Sequence, residues 1–179
     1  MKSPFDSRLT IAAALATLLL HGCAEDAPEP AAAAAPDGAV EVGLVDFAFV
    51  GLPATIPAGT TLEVRNDAEE ELHELVAFPL PDDEERTVEE LTELSPAELE
   101  AALGHPVAVL LAEPGGPQIE AVGDGTLTDP GRYAVFCFIP TGVEPAVYLA
   151  AAAESDGAPQ VDGGPPHFTA GMFAELVVE

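Results

Sequence analysis

Basic residues are scarce in this 179-residue chain: Lys and Arg together number 5, against 32 Asp and Glu, for a formal net charge of −27. A surface so rich in carboxylates repels the phosphates of nucleic acids and the headgroups of anionic lipids. The composition therefore argues against a nucleic-acid partner and suits solubility or a partner with a basic docking face. A solvated surface with no specific partner is the simpler interpretation of the same charge.

The N-terminus has the pattern of an export signal. Lys2 and Arg8 precede an apolar run that ends at Leu20 and is too short to span a bilayer. This pattern predicts a signal peptide over residues 1–22. The string Leu20-His21-Gly22-Cys23 is similar to a bacterial lipobox, which implies lipid attachment to Cys23; an ordinary secretory cleavage beside a chance cysteine is the alternative.

Residues 23–38 follow as an acidic, Ala-rich and Pro-rich stretch with no hydrophobic anchor. Such a composition predicts an extended tether. We expect it to hold a domain at residues 39–179 on the extracytoplasmic side of a bacterial membrane, anchored through the lipid on Cys23.

Cysteine is nearly absent from the predicted domain. The chain has 2 Cys and 2 Met, and beyond the N-terminal segment only Cys137 and Met172 remain. An intramolecular disulfide is therefore excluded, and an unpaired thiol in an oxidising compartment needs burial or a metal. Taken alone, Cys137 fits a small buried hydrophobic residue.

Strand patterns dominate the domain. The alternation of Val40, Val42 and Leu44, continued at period two by Phe47 and Phe49, predicts one strand with a buried face. Further strands are predicted at 60–66, 73–78, 119–122, around 127, at 132–139 and at 172–179. Short strands at this spacing predict an antiparallel β-sandwich.

Two segments interrupt the strands. Residues 79–117 carry two capping-box patterns, Thr87-x-x-Glu90 and Ser95-Pro96-Ala97-Glu98, and predict a short helical insertion. Residues 140–166 are rich in Ala, Gly and Pro and predict an enlarged loop, with a short strand or helix at 146–153.

The side chains that metals prefer are grouped at the ends of the predicted strands. Cys137 shares the inward face of its strand with Tyr133, while His167 and Met172 follow the enlarged loop and His73 begins a strand far upstream. Two imidazoles, one thiolate and a weak thioether are the ligand set of blue-copper sites. The sequence therefore predicts a mononuclear copper site.

The motifs around these residues resemble those of the cupredoxins, the plastocyanin and azurin group of blue-copper proteins. The similar strings are Gly131-x-Tyr133-x-x-x-Cys137, His167-x-x-x-x-Met172, Asn66 followed by His73, Asp46-Phe47-x-Phe49 and Ile56-Pro57-Ala58-Gly59. The resemblance covers 39–78 and 119–179. It implies an all-β fold, a cupredoxin-like Greek-key β-sandwich with a short helical insertion.

The resemblance also implies a function. His73, Cys137 and His167 would be equatorial ligands of one copper ion, with Met172 as the axial ligand, and the protein would transfer single electrons to and from a redox partner protein. His167 would lie near the surface within an apolar ring of Pro165, Pro166 and Phe168.

Two positions depart from the family pattern. Residues 138 to 166 separate Cys137 from the second histidine, whereas a few residues usually do so. If this segment loops out and returns at Gly164-Pro165-Pro166, the site is kept; otherwise His73, His167 and Met172 would form a looser copper site. Glu74 is unusual beside a ligand, and we expect an outward-facing strand residue there rather than a partner of the site.

Other functions stay open at this point. A copper-binding or storage lipoprotein without a redox role would tolerate loss of Cys137, and a metal-free interaction module would need none of the four residues. No enzymatic activity is expected, because no oxyanion-hole string accompanies a Cys137–His pair and no nucleotide-binding or zinc-type motif occurs. His105 is expected to be a surface loop residue.

Overall fold

The computed structural model describes residues 38–155 and 157–179. The predicted signal peptide, Cys23 and the tether up to residue 37 lie outside the described residues and stay predictions. No helix within the described part of the chain is long and apolar enough to cross a membrane.

The described residues are mostly β-strand. The strands are β1 Ala39–Val45, β2 Ala48–Val50, β3 Thr55–Ile56, β4 Thr60–Asn66, β5 His73–Pro79, β6 Ala108–Ala112, β7 Gln118–Val122, β8 Thr126–Leu127, β9 Gly131–Phe136 and β10 Phe173–Val178. The helices are α1 Val88–Thr92, α2 Pro96–Leu103 and α3 Pro145–Glu154, with a 3-10 helix at His167–Ala170.

The strands form two sheets. One has the order β2-β1-β4-β8, and the other has the order β3-β10-β9-β5-β6-β7. The neighbours β1 and β4 run parallel, as do β10 and β3, and the remaining pairs run antiparallel. Mostly β content in two sheets confirms the predicted sandwich, but the two parallel pairs make both sheets mixed rather than purely antiparallel as predicted.

The main core lies between the two sheets. Alternate residues of each strand enter it, as the period-two pattern of a half-buried strand requires. Its fully buried members include Val42 and Leu62 from the first sheet and Leu75, Val135 and Leu176 from the second. The alternation predicted for β9 is confirmed, since Tyr133, Val135 and Cys137 face this core.

A second apolar cluster covers the outer face of the six-stranded sheet. Phe136 and Ala134 of β9 point into it and meet Leu91 of α1 and Leu99 of α2. Both helices begin at the predicted capping boxes; at the first, the Glu90 amide donates to the Thr87 hydroxyl at 3.2 Å and the Thr87 amide donates to the Glu90 carboxylate at 2.8 Å.

Helix occupies only the first part of the segment predicted as helical, 79–117. Residues Ala108–Ala112 form β6 instead, between β5 and β7. The run Ala-Val-Leu-Leu-Ala is apolar on both faces, so it lacks the alternation that identifies a half-buried strand. β6 is buried on both of its faces, so amphipathicity does not mark it as a strand.

The first strand is also shorter than predicted, because it ends at Val45 and does not continue through Phe47 and Phe49. The chain turns at Asp46 and Phe47, and β1 pairs antiparallel with β2 as a hairpin. Phe47 has a φ of 63°, a left-handed conformation that bulky residues rarely adopt. The period-two spacing of Phe47 and Phe49 therefore spans a turn rather than one continuous strand.

Candidate metal centre

Three elements bring the predicted ligands to one end of the sandwich. His73 is the first residue of β5, Cys137 directly follows β9, and His167 begins the 3-10 helix. Because β5 and β9 are antiparallel neighbours, the start of one lies beside the end of the other. His73 therefore lies near Cys137 although the two are far apart in the sequence. Glu74, the residue after His73, is 63 positions from Cys137.

A buried asparagine holds the loop that leads to His73. The Asn66 amide nitrogen donates to the Glu71 carbonyl and to the Ala112 carbonyl, both at 2.8 Å, and its side-chain oxygen accepts from the Ala68 amide at 2.9 Å. With both ends of the amide group satisfied, the acidic loop between β4 and β5 has a fixed path into the site.

The enlarged loop leaves the sandwich and returns at one closed neck. Pro140 and Pro166 form an isolated bridge, and the Thr141 amide donates to the Pro165 carbonyl at 3.1 Å. Beyond the neck, the His167 amide donates to the Ile139 carbonyl at 3.0 Å. The segment therefore returns at the predicted place, and His167 lies beside Cys137 although the two are 30 positions apart.

Three ligand atoms converge inside this frame. The Nδ1 atoms of His73 and His167 lie 3.0 Å apart, and the Cys137 Sγ lies 3.4 Å from the His167 Nδ1. All three atoms fall within 4.8 Å of one another, and all three residues are 0% exposed. The structure thus brings together three of the four predicted ligands in the interior of the protein.

The outer nitrogens of both imidazoles face carboxylates. His73 Nε2 lies 3.6 Å from the Asp46 carboxylate and His167 Nε2 lies 3.6 Å from the Glu71 carboxylate, and neither buried nitrogen has a hydrogen-bond partner among the described residues. A nearby carboxylate favours a proton on Nε2. In that tautomer, each Nδ1 would present a lone pair toward Cys137 and the other ring.

Burial keeps these groups uncharged in the absence of a metal. Burial, followed by the nearby His167, lowers the pKa of His73 to about 4, and Asp46 opposes this shift only in part. Burial also lowers the pKa of His167, and it raises the pKa of the Cys137 thiol. Two neutral imidazoles and a thiol that a bound cation would ionise are the protonation states that a soft metal requires.

This donor set fits copper. Two nitrogen lone pairs facing each other at 3.0 Å repel one another unless a proton or a cation lies between them. Imidazole suits copper and zinc, and thiolate adds the preference for a soft ion. His73, Cys137 and His167 are the residues that would hold it.

Met172 is the fourth predicted ligand, and the backbone places it beside the other three. Its amide donates to the His167 carbonyl at 3.2 Å, and its carbonyl accepts from the Cys137 amide at 3.1 Å. The residue is 0% exposed. An axial role for its sulfur stays a prediction.

Glu74 lies inside the protein, contrary to the outward position expected from the sequence. It is 4% exposed, its carboxylate accepts from the Phe138 amide at 3.0 Å, and its own amide points at the Cys137 Sγ at 3.5 Å. The expectation failed because β5 is buried on both faces, one in the main core and the other in the second apolar cluster.

His167 is likewise fully buried, not near the surface as predicted. Phe47 packs edge-on against its ring, with centroids 5.1 Å apart, from the hairpin turn between β1 and β2. Phe168 packs against Phe136 and Phe138 and so belongs to the second apolar cluster. The sequence did not predict that Phe47 covers His167, because its spacing placed Phe47 in a strand. His105, by contrast, is exposed as expected.

Comparison with known proteins gives structural neighbours at low identity. No protein-family model matches the chain, and a search of curated protein sequences finds no match. Among solved structures, it is similar to a dithionite-reduced auracyanin from the photosynthetic bacterium Roseiflexus castenholzii, with 21% identity, a TM-score of 0.43 and coverage of 79% of this chain and 97% of that one.

Two further auracyanins are similar to a comparable degree. Auracyanin A of Chloroflexus aurantiacus, described as a "blue" copper protein, has 19% identity and a TM-score of 0.41, covering 79% of this chain and 98% of that one. Auracyanin B has 19% identity and a TM-score of 0.38, covering 79% and 88%. The two sheets described above confirm the predicted all-β sandwich.

A buried carboxyl gives the metal-free protein a testable pH dependence. Burial raises the pKa of Glu74 from 4.5 to about 7, although hydrogen bonds from Phe138 and Tyr148 oppose the shift. The folded state therefore holds this proton more tightly than the unfolded state, so the contribution of Glu74 to stability is complete below pH 4.5 and is lost as the pH rises to about 7.

In urea unfolding of the metal-free protein, Glu74→Gln should accordingly gain stability relative to wild type between these two pH values. The gain reaches at most about 3 kcal/mol, since each unit of pKa shift corresponds to about 1.4 kcal/mol. The lowered pKa of His73 acts in the opposite direction in both proteins, so it cancels in the difference. If the free energies of unfolding of the two proteins changed with pH in parallel, the prediction would be contradicted.

Proposed function

We propose that this chain binds one copper ion between His73, Cys137 and His167, with Met172 as a weak axial ligand, and carries single electrons. The observation that carries the proposal is the convergence of two Nδ1 atoms and one Sγ within 4.8 Å in a fully buried space. Bound copper would supply the redox chemistry by alternating between Cu(I) and Cu(II).

The chain's own residues would keep the ligand geometry nearly constant. Cys137 is tied to the Met172 carbonyl and His167 to the Ile139 carbonyl, so the backbone on both sides of the site belongs to hydrogen-bonded structure. His73 begins a strand that pairs with β6 and β9. A rigid frame lowers the reorganisation that accompanies a change of one charge, which is what an electron carrier needs.

The same residues would exclude water and orient the rings. Phe47 covers His167, and Asp46 and Glu71 lie against the outer nitrogens of the two imidazoles. Asp46 is 60% exposed at its side chain. A redox partner that approaches the imidazoles from this side would meet carboxylates, so a basic docking face on that partner would be complementary.

Copper reconstitution of the purified full-length protein tests this function. We expect one Cu(II) per chain, an intense visible absorption band, narrow copper hyperfine splitting in EPR, and a reversible one-electron wave in voltammetry. His73→Ala should lose all four properties, because it removes one of three strong ligands. His105→Ala removes an exposed imidazole and serves as the matched control, which should keep them.

Other outcomes would favour the remaining functions. A pale copper spectrum without a reversible wave would indicate copper holding without a redox role. Absence of stoichiometric binding in the wild-type protein would contradict the copper proposal and leave a metal-free interaction module. The proposed setting, anchored by a lipid on Cys23 outside the cytoplasm, is tested separately by membrane fractionation of cells that express wild type or Cys23→Ala.

A further inference from the structure

The enlarged loop at 140–166 packs two buried residues, Val143 and Tyr148, into the main core of the sandwich. Its helix α3 is largely alanine, and Tyr148 is the residue of α3 that is buried, at 4% exposed. The Tyr148 hydroxyl donates to the Glu74 carboxylate at 3.4 Å. The inserted helix thus reaches β5 at the residue next to His73.

Glu74 extends this contact to both sides of Cys137. One carboxylate oxygen accepts from the Phe138 amide at 3.0 Å and the other accepts from Tyr148. On the backbone side, the Glu74 amide points at the Cys137 Sγ at 3.5 Å. A single residue therefore contacts the sulfur of Cys137 and the peptide that follows it.

The other polar link between the loop and the site is more exposed. Glu71 accepts from the Gly142 amide at 3.1 Å, but its side chain is 20% exposed and water competes for the same oxygens. Tyr148 and Glu74 are both buried, so no solvent replaces a hydrogen bond lost between them. The Tyr148–Glu74 contact is therefore a buried polar connection between α3 and the peptide that follows Cys137.

We propose that Tyr148 and Glu74 are positioning residues of the copper centre: Tyr148 orients the Glu74 carboxyl, which fixes the Phe138 amide and with it the Cys137 sulfur. The proposal rests on the proposed function. It makes the insertion a working part of the site, since a helix from the enlarged loop supplies a contact that sets the thiolate geometry.

Two tyrosines of almost equal burial allow a matched test. Tyr148→Phe removes the hydroxyl that reaches Glu74, whereas Tyr133→Phe removes a hydroxyl that donates to the Asp129 carbonyl at 2.8 Å, at the other end of the same core. Tyr133 is 2% exposed and Tyr148 is 4% exposed. Each variant loses one tyrosine hydroxyl and its hydrogen bond, which is buried for Tyr148 and partly buried for Tyr133, and only Tyr148→Phe loses the contact with Glu74.

The first readout needs no metal. In the metal-free full-length protein, the rate at which iodoacetamide labels Cys137, followed by peptide mass spectrometry, should rise roughly fivefold to tenfold in Tyr148→Phe, the factor expected when one buried hydrogen bond is lost from a local opening. Tyr133→Phe should stay close to wild type. Equal rates in the two variants would overturn the proposal.

The second readout is the spectrum of the Cu(II)-loaded protein. We expect a shifted absorption band and wider EPR hyperfine splitting in Tyr148→Phe, and larger changes in Glu74→Leu, which keeps no acceptor for the Phe138 amide. Glu74→Gln keeps that acceptor and should restore most of the wild-type spectrum. A Tyr148→Phe spectrum identical to that of Tyr133→Phe would overturn the proposal even if Glu74→Leu fails to fold.

The two proposals fail separately. If wild-type protein shows no blue-copper spectrum, the proposed function is wrong, and labelling of Cys137 still reports whether Tyr148 and Glu74 position the thiol. If wild type is blue and Tyr148→Phe matches Tyr133→Phe in both readouts, the function stands and the positioning role is wrong.

Discussion

Replacing Cys137 with serine should abolish the intense visible band expected of the Cu(II)-loaded protein. The band requires a thiolate bonded to copper, and a serine hydroxyl is a harder and far less acidic ligand. Copper affinity should fall by more than the roughly 10-fold to 100-fold that follows loss of an outer partner of a metal ligand. Absorption spectroscopy and a competitive copper titration measure the two effects.

Met172→Leu is the informative comparison for this variant. Leucine keeps the volume of a 0% exposed side chain but removes the sulfur. If Met172 is a weak axial ligand, the band should persist and the reduction potential should change. A Cys137→Ser protein that still shows the band, with far-UV circular dichroism unchanged, would remove Cys137 from the site and contradict electron transfer through it.

Phe136→Ala should be among the most destabilising single substitutions in the described part of the chain. Phe136 is 0% exposed and packs against Phe138, Phe168 and Phe173 under the two helices. Truncation of a buried Phe leaves a cavity and typically costs about 3 to 5 kcal/mol. Because domains of this size are stable by about 5 to 15 kcal/mol, a large share of the total should be lost.

Chemical denaturation of the metal-free protein measures this loss, and Phe49→Ala is the matched control. Phe49 is only half-buried, at the edge of the first sheet, so the same change should cost clearly less. Equal losses at the two positions would show that the cluster under the helices does not carry the expected share of the stability.

Much of the fold was predictable because its signals are local. The alternation along β9 and the capping boxes at Thr87 and Ser95 depend on neighbours within a few positions. The candidate site was predictable for a different reason: few thiol and thioether side chains occur in the chain, so Cys137 and Met172 were conspicuous. The structure brings Cys137 together with both predicted histidines.

The remaining features depend on contacts that no local pattern encodes. β6 is buried on both faces, and the Glu74 carboxylate accepts a hydrogen bond from Tyr148, 74 positions away in the sequence. His167 is covered by Phe47, which has a positive φ in a hairpin turn. The period-two spacing of Phe47 and Phe49 predicts a continuous strand instead of this turn. In all three cases the burial of a residue depends on contacts with segments that are distant in the sequence.

The neck at Pro140 and Pro166 has a consequence for proteolysis. Exposed residues at 157–158 and at 162 offer cleavage sites on the far side of the neck, and β10 beyond it is paired with β9 from Phe173 to Val178. A single cut there would release no strand of the sandwich. The C-terminal piece, which carries His167 and Met172, should remain bound to the rest. Two separately produced fragments should then reassemble the proposed copper site. The return of the visible absorption band would report their association.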